Sequence, residues 1–417
     1  MELARYLEQF SGRSPSTSEQ SPPDGTETIT DTVTIAGADI PRFTNEFWTS
    51  QQRKASSLHE ISYRACFKPQ LPAFFIRLLT AKGDRVYDPF SGRGTTVIEA
   101  GLLGRQVAAN DINPLSRILT RSRFFIPEQR AVEKRLSEIP RTYTGSGDID
   151  LSMFYDGKTG EEIRSLRDYL LIKDESGTDD DIDAWIRMVA TNRLTGHSAG
   201  FFSVYTLPPN QAVSPESQVK INMKRSQVPQ YRDTHTLIMR KSRSVVRHIT
   251  AGTRLDLQKS GDSGLFLTGD SRNTPQIADG SVALTVTSPP FLDIVQYSKD
   301  NWLRCWFNGI DDREISQKIT VTRSLAEWSG VMAETFSELF RVTSPGGHVA
   351  FEVGEVRKGT IRLDEEVVPL GIRAGFECIG ILINRQNFTK TSNIWGIGNN
   401  NCGTNTNRIV VFKKEEK

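Results

Sequence analysis

Cysteine is scarce in this 417-residue chain: Cys66, Cys305, Cys378 and Cys402 lie far apart and form no CxxC pair. That spacing excludes a disulfide framework and offers no zinc pattern, so free thiols are expected. The histidines, His59, His197, His235, His248 and His348, are equally scattered, and no metal is expected. No apolar run approaches the roughly 20 residues of a membrane span, so no membrane partner is expected. The start, Met1-Glu2-Leu3-Ala4-Arg5-Tyr6, lacks the basic and apolar segments of a secretory leader, and a cytoplasmic protein is expected. Net charge is also missing. Lys and Arg number 52 against 50 Asp and Glu, so overall charge does not point to nucleic acid.

What is present suits a globular protein, 37% hydrophobic and 24% charged. The length suits about two or three structural units, or one core with a large insertion. Residues 1–40 are expected to form a tail, with Ser11 to Thr32, rich in Ser, Thr, Pro, Gly and Glu, disordered. Phe74 to Leu79 reads as a helix ending near Gly83. Arg85 to Asp88 reads as a strand, a helix opens at Thr95 or Thr96, and Gln106 to Asp111 reads as a second strand. This is a βαβ unit. The alternation then breaks, and residues 121–255 look helical and loop-like, with Asp179-Asp180-Asp181 suited to a helix start. Strand-like segments resume at Leu265, Ser281, His348, Cys378 and Arg408. About seven strands in one α/β sheet, interrupted by a helical insertion, is the economical reading. The core would comprise residues 41–120 and 256–417.

Two segments carry chemistry. In the first, Asp88-Pro89-Phe90-Ser91-Gly92-Arg93-Gly94-Thr95-Thr96, an acid ends a strand and glycines follow. Glycine there lets backbone approach a ligand. Asp111 ends the next strand, at the interval where a carboxylate accepts ribose hydroxyls, and Asp270 is expected to end a third strand, where it could bond an adenine amine. The third glycine of a dinucleotide fingerprint is missing, and no Gly-Lys-Ser/Thr follows. An acid before the loop suits a cationic nucleoside such as S-adenosyl-L-methionine better than a pyrophosphate. The bland alternatives are a helix cap for Asp88 and an Asx turn for Asp111. In the second segment, Ser288-Pro289-Pro290-Phe291 ends an apolar run, and its prolines force the chain to turn at a strand's carboxyl end.

These motifs resemble those of bacterial amino-methyltransferases that act on DNA. The loop at Asp88 is similar to their S-adenosyl-L-methionine loop, and Ser288-Pro289-Pro290-Phe291 to their catalytic Ser-Pro-Pro-Tyr/Phe motif. His59 to Pro72 resembles the segment packed under the methionine end of the cofactor, and Thr404 to Phe412 the last strand. The likeness spans roughly Phe47 to Lys413, and the insertion is least covered. Many members place the Pro-Pro motif first; here the loop precedes it, as in a permuted arrangement with target recognition between them.

The resemblance implies a Rossmann-like class I methyltransferase fold with a mostly parallel seven-stranded sheet. It implies S-adenosyl-L-methionine held by Phe67, Asp88, Phe90, Gly92, Gly94, Thr95, Asp111, Ile112 and Asp270. Catalysis would fall to Ser288, Pro289, Pro290 and Phe291, with Ser288 and the Pro289 carbonyl accepting the amine hydrogens and Phe291 stacking on a flipped base. Serine at the first position leans toward cytosine N4; adenine N6, an RNA guanine amine and a non-catalytic nucleic-acid-binding module are the alternatives. Double-stranded DNA is the expected partner, in bacterial or phage cytoplasm near the nucleoid. A cognate restriction endonuclease is the further partner such a resemblance allows. Lys220, Lys224, Arg225, Arg240, Lys241 and Arg243 lie in a stretch with Asp233 as its only acid, and are the candidate phosphate contacts. Tyr297, Trp302 and Trp306 follow the tetrapeptide at near-helical spacing. Packing is the expected role of the tryptophans, with lining the base pocket the alternative. Cys66 and Cys305 are expected to be buried thiols.

Overall fold

In this computed structural model the described residues are 3–10, 27–48, 55–64, 66–146, 149–208, 211–290, 297–318, 324–356, 361–385 and 406–416. The strands are β1 (Ile29–Ile35), β2 (Ala38–Asn45), β3 (Arg85–Asp88), β4 (Gln106–Asp111), β5 (Leu265–Thr268), β6 (Val282–Thr287), β7 (Thr343–Val353), β8 (Glu355–Val356), β9 (Ile361–Arg362), β10 (Glu377–Arg385) and β11 (Thr406–Lys413). The helices through the insertion are α1 (Leu3–Glu8), α2 (Gln70–Leu79), α3 (Thr95–Leu102), α4 (Leu115–Arg121), α5 (Gln129–Glu138), α6 (Gly157–Glu175), α7 (Asp181–Thr191), α8 (Pro215–Arg225), α9 (Thr234–Val246) and α10 (Ala251–Asp262). After β6 come α11 (Tyr297–Phe307), α12 (Asp312–Lys318), α13 (Leu325–Val342) and α14 (Leu363–Ala374).

The main sheet has nine strands in the order β1-β2-β10-β11-β7-β6-β3-β4-β5. From β7 through β6, β3 and β4 to β5 every pairing is parallel. β11 runs antiparallel to both β7 and β10. The chain moves outward from β3 to β4 and β5, then returns to build β6 and β7 on the other side. That reversal makes the β3–β6 junction a topological switch point, where the carboxyl ends of strands leave a crevice.

All seven segments expected to be strands are strands. The two extra strands correct the reading of residues 1–40 as a tail. β1 and β2 form a hairpin whose two-residue turn, Ala36-Gly37, has φ of 49° and 83°, the left-handed pair that matches strand twist. β2 then pairs in parallel with β10. Ile35 and Ile40 bury one face of the hairpin and Phe43 the other, and the threonines of β1 suit a strand. Averaged composition hid that alternation. α1 likewise docks through buried Leu3 and Leu7.

One face of the sheet packs α2, α3 and α10; the other packs α13 and α14. Between α4 and α10 the described chain runs through five helices, with one isolated bridge between Gly196 and Tyr205. Asp180 caps α7 in a reciprocal capping box with Asp183, the use expected of that acidic run. Leu166, Trp185, Ile186 and Ile238 of this region share one buried cluster with Val97, Leu119 and Phe124 of the core. The inserted helices therefore ride on the sheet rather than forming a separate hydrophobic unit. Among the described residues no helix is long and apolar enough to cross a membrane.

Candidate active site

The glycine loop is shaped by steric demand. Gly92 and Gly94 have φ of 51° and 77°, a region that favours glycine. A Cβ on Gly94 would lie 2.5 Å from Thr120 Oγ1, so α3, which Gly94 caps, packs this tightly on α4 only with glycine there. Backbone bonds staple the loop to β4: Ser91 N–H donates to the Asn110 carbonyl at 2.9 Å, and Gly92 N–H to Asp111 Oδ2 at 2.8 Å. Arg93, between the glycines, donates to the carbonyls of His59 and Ile61. Those bonds bring the segment beginning at His59 against the loop.

Asp88 is buried. It accepts from Thr287 Oγ1 at 2.6 Å and from Phe90 N–H at 3.2 Å. Burial still pushes its carboxyl up to about 7, because these bonds offset desolvation only in part. Asp111 keeps some exposure to the cleft yet is desolvated enough to be pushed up to about 6, against the pull of the Asn113 and Gly92 N–H groups. Its bond from Asn113 N–H at 2.9 Å is an Asx turn, so the bland role is realised alongside any ligand role. Neither carboxyl has a salt-bridge partner among the described residues. Asp270 differs: Arg272 grips it at 2.6 Å and holds its carboxyl below the ordinary value.

Thr287 joins the two motifs. It ends β6 and its hydroxyl reaches Asp88, 199 residues away in sequence. Thr96 Oγ1 adds a second tie, donating to the Val286 carbonyl at 2.9 Å. Ser288 follows at the cleft wall. Its Oγ is buried and makes no hydrogen bond of good geometry, although the hydroxyl is near enough to Glu352 to lower that carboxyl's affinity for a proton. Burial dominates at Glu352 and raises it; the 2.6 Å bond from Asn407 Nδ2 also opposes that rise. The Pro290 carbonyl accepts from Trp328 Nε1 at 3.0 Å, which fixes the turn after the serine. Phe291 lies outside the described residues.

The strand ends line a cleft that is open to solvent, the place where ligands bind in such sheets. Of the expected cofactor residues, Phe67, Asp88, Phe90, Gly92, Thr95, Asp111, Ile112 and Asp270 line it, as do Ser288 and Pro290. Gly94 shapes the loop from behind, and Pro289 is buried off the wall. Tyr63, within the segment expected to pack under the cofactor, also lines the cleft, whereas site roles for Thr287, Asn113 and Trp328 were not expected. For Thr287 there was a signal, a threonine inside an otherwise apolar strand. For Trp328, forty residues on from Ser288, there was none. Trp302 and Trp306 are off the cleft: Trp302 Nε1 bonds the Val213 carbonyl, and Trp306 stacks with Arg167. The Tyr297 side chain lies outside the described residues. Cys305 is buried, whereas Cys66 is half-buried on the cleft wall.

The six candidate phosphate contacts divide between two helices. Lys220 and Lys224 stand exposed on α8, and Arg225 lies over the Tyr205 ring at 3.7 Å. On α9, Arg243 is exposed, but Arg240 donates to the Ala199 carbonyl and Lys241 pairs with Glu60. Burial pushes Lys241 down to about 8. Most of the α9 contribution is thus committed to structure.

The loop half of the site has relatives. Residues 32–118 match a family model described as DNA methylase. Over that segment the chain is similar to the N6/N4 DNA methylases. The methylase match covers β3, the glycine loop and β4, and stops well short of Ser288. The chain is 34% identical over 103 residues to the type II methyltransferase M.BsoBI of Geobacillus stearothermophilus, covering 24% of this chain and 19% of that protein. It is 32% identical over 80 residues to the type II methyltransferase M.MvaI of Kocuria varians, covering 18% of each. The chain therefore spans about a fifth of the length of the curated relatives it matches. Among solved structures, the modification methylase TTHA0409 of Thermus thermophilus, complexed with S-adenosyl-L-methionine, is 21% identical over 36% of this chain and 54% of its own, with a TM-score of 0.22. The rRNA methyltransferase AviRa of Streptomyces viridochromogenes is 11% identical over 86% and 90%, with a TM-score of 0.33.

Proposed function

We propose that this chain is an S-adenosyl-L-methionine-dependent DNA methyltransferase of the Rossmann-like class I type, acting on the exocyclic N4 amine of cytosine in a restriction-modification setting. The observation that carries the proposal is the Thr287–Asp88 hydrogen bond. It sets the tetrapeptide beside the methylase loop, so that Ser288 and the two desolvated carboxyls share one cleft. Those carboxyls suit the cofactor. Burial without a cation leaves Asp88 and Asp111 costly to ionise, and a ligand bearing an ammonium would relieve that cost. Asp88 would hold the methionine end, Asp111 the ribose hydroxyls, and Phe67, Phe90 and Ile112 the apolar parts. Asp270 would reach the adenine amine with the lone pairs that Arg272 leaves unused. When bound, S-adenosyl-L-methionine supplies an electrophilic methyl group.

The residues of the chain would do the rest by positioning. An exocyclic base amine is a poor nucleophile because its lone pair is delocalised into the ring. Ser288 Oγ, which lacks a hydrogen bond of good geometry, would accept one amine hydrogen and aim the lone pair into the cleft. The Pro289 carbonyl would accept the other, and Phe291 would stack on the base. The base must leave the duplex to reach the site. A serine hydroxyl is too weak a base to take the amine proton beforehand, so that proton would leave after transfer.

The test is incubation of unmethylated DNA and of tRNA with labelled cofactor, followed by nucleoside mass analysis. N4-methylcytosine is expected in DNA. N6-methyladenine would move the target base, and label in tRNA alone would remove DNA as substrate. Ser288→Ala is expected to cut turnover by ~100-fold or more, as removal of one positioning contact in a water-poor site does, with cofactor affinity nearly intact. Unchanged turnover would show that Ser288 is not the amine acceptor.

A further inference from the structure

Helix α8 is attached to the molecule in an unusual way. A surface helix ordinarily buries an apolar stripe. α8 is held instead by amides: Gln218 Nε2 donates to the Tyr205 carbonyl at 3.0 Å, Asn222 Nδ2 to the Met153 carbonyl at 2.7 Å, and Gln227 Nε2, just beyond the helix, to Tyr205 at 2.9 Å. Two of its apolar side chains are exposed, Met223 at 74% and Val219 at 37%, and Val228, just beyond the helix, is 77% exposed; they surround a shallow depression that reaches Ser152 and Met153. Lys220 and Lys224 are exposed on the same helix and form no hydrogen bond or salt bridge among the described residues. Glu216 is the helix's only acid.

The helix is also tied to the cleft. Arg64, on the cleft wall, donates to Asp300 Oδ2 at 2.6 Å and to Gln211 Oε1 at 3.3 Å. Ala212 N–H donates to the Asp300 carbonyl at 2.9 Å, and Trp302 Nε1 to the Val213 carbonyl at 3.1 Å. These bonds clamp the approach to α8 onto α11, the first helix after the tetrapeptide among the described residues. A basic helix with exposed apolar side chains is thus linked through Arg64 to the wall of the cleft.

Building on the DNA-methyltransferase reading, we propose that α8 is the reading helix, lying in the major groove of duplex DNA beside the target base. The groove, about 12 Å wide, admits an α-helix, and apolar side chains there meet thymine methyl groups. Lys220 and Lys224 take phosphates; Val219 and Met223 face base edges. A second copy of this chain fits less well, because a two-fold contact through this face would oppose the same lysines.

The test uses the full chain with Lys220→Glu/Lys224→Glu and, separately, Met223→Gln. Unfolding temperature and cofactor affinity serve as controls and should not move. Affinity for a mixed-sequence duplex of about 30 base pairs, long enough for a complete interface, is measured by anisotropy across a salt series. The double variant should bind ~10-fold or more weakly, and its salt slope should fall by about 2, one unit per lost phosphate contact. Met223→Gln should keep that slope but shift the distribution of methylated sites in sequenced genomic DNA. An unchanged slope together with an unchanged site distribution overturns the assignment of α8. So does a change in the mass of the free protein in solution on Met223→Gln, which would mark a self-association face. If the unaltered protein neither binds nor methylates DNA, it is the methyltransferase reading that fails.

Discussion

Two regions of the cleft carry the same residue type in different electrostatic states. Asp88 and Asp111 end β3 and β4, and Asp270 follows the neighbouring β5. The first two are desolvated, bonded to N–H and hydroxyl groups, and raised to about 7 and about 6. Asp270 is partly exposed, held by Arg272, and lowered. Their place in the sheet accounts for the contrast. β3 is interior, with β6 and β4 on its flanks, whereas β5 is the edge strand, so its loop faces water and a long cation can reach it. An acid in the interior waits for a charge to arrive; an acid at the edge already has one. The first couples ligand binding to protonation, and the second does not.

The largest expected effect is on cofactor affinity. Asp88→Ala should weaken binding of S-adenosyl-L-methionine by roughly 100-fold, or about 2.7 kcal/mol, the scale of a desolvated hydrogen bond to a charged group. Asp270→Ala should cost less than about 5-fold, since water and Arg272 already satisfy that carboxylate. Calorimetric titration of both variants decides the matter. Equal losses would erase the distinction between the interior acid and the edge acid.

A pH series sharpens the same contrast. With its folded value raised to about 7 from an ordinary 3.8, Asp88 keeps its proton where the unfolded chain has lost it. Stability of the ligand-free protein should therefore fall as pH rises from about 4 to about 7 and level off above. A cationic ligand prefers the ionised carboxyl, so its affinity should rise over the upper part of that window, with proton release on binding. Asp88→Asn should flatten both curves and leave the ligand-free variant more stable than the parent at about pH 8, by at least ~2 °C in unfolding temperature. Asp270→Asn should alter neither curve in that range, because Asp270 is ionised throughout.

Much of this site was legible in the sequence, for definite reasons. Asp88, Asp111, Ser288 and the glycines sit where strand periodicity ends, and strand ends are easy to read. That Thr287 would bond Asp88 required knowing that β6 lies beside β3, a neighbour relation set by the whole sheet. Trp328 reaches Pro290 only because α13 packs on the sheet at β7, the neighbour of β6. The hairpin β1–β2 was missed because its apolar positions alternate within a threonine-rich stretch whose average composition is polar. The salt bridge from Arg272 to Asp270 was in plain view, two residues apart, but its weight depends on β5 being an edge. Charge counting failed similarly for Lys241 on α9: the sequence shows a cation, not the Glu60 carboxylate waiting across from it.

The smallest effect tests the edge itself. Arg272→Ala removes the partner of Asp270 and leaves the carboxylate in water. Both side chains are more than a third exposed, so the pair should contribute less than about 1 kcal/mol to stability. The carboxyl should drift back toward its ordinary value without approaching neutrality, and cofactor affinity should rise slightly, by about 3-fold or less, as lone pairs are freed for a ligand amine. Carboxyl titration followed by NMR, with calorimetry on the same variant, reads both quantities. If Asp270 instead climbs well above its ordinary value once Arg272 is gone, the edge is as desolvated as the interior. The difference between the two regions would then be the work of one arginine rather than of strand order.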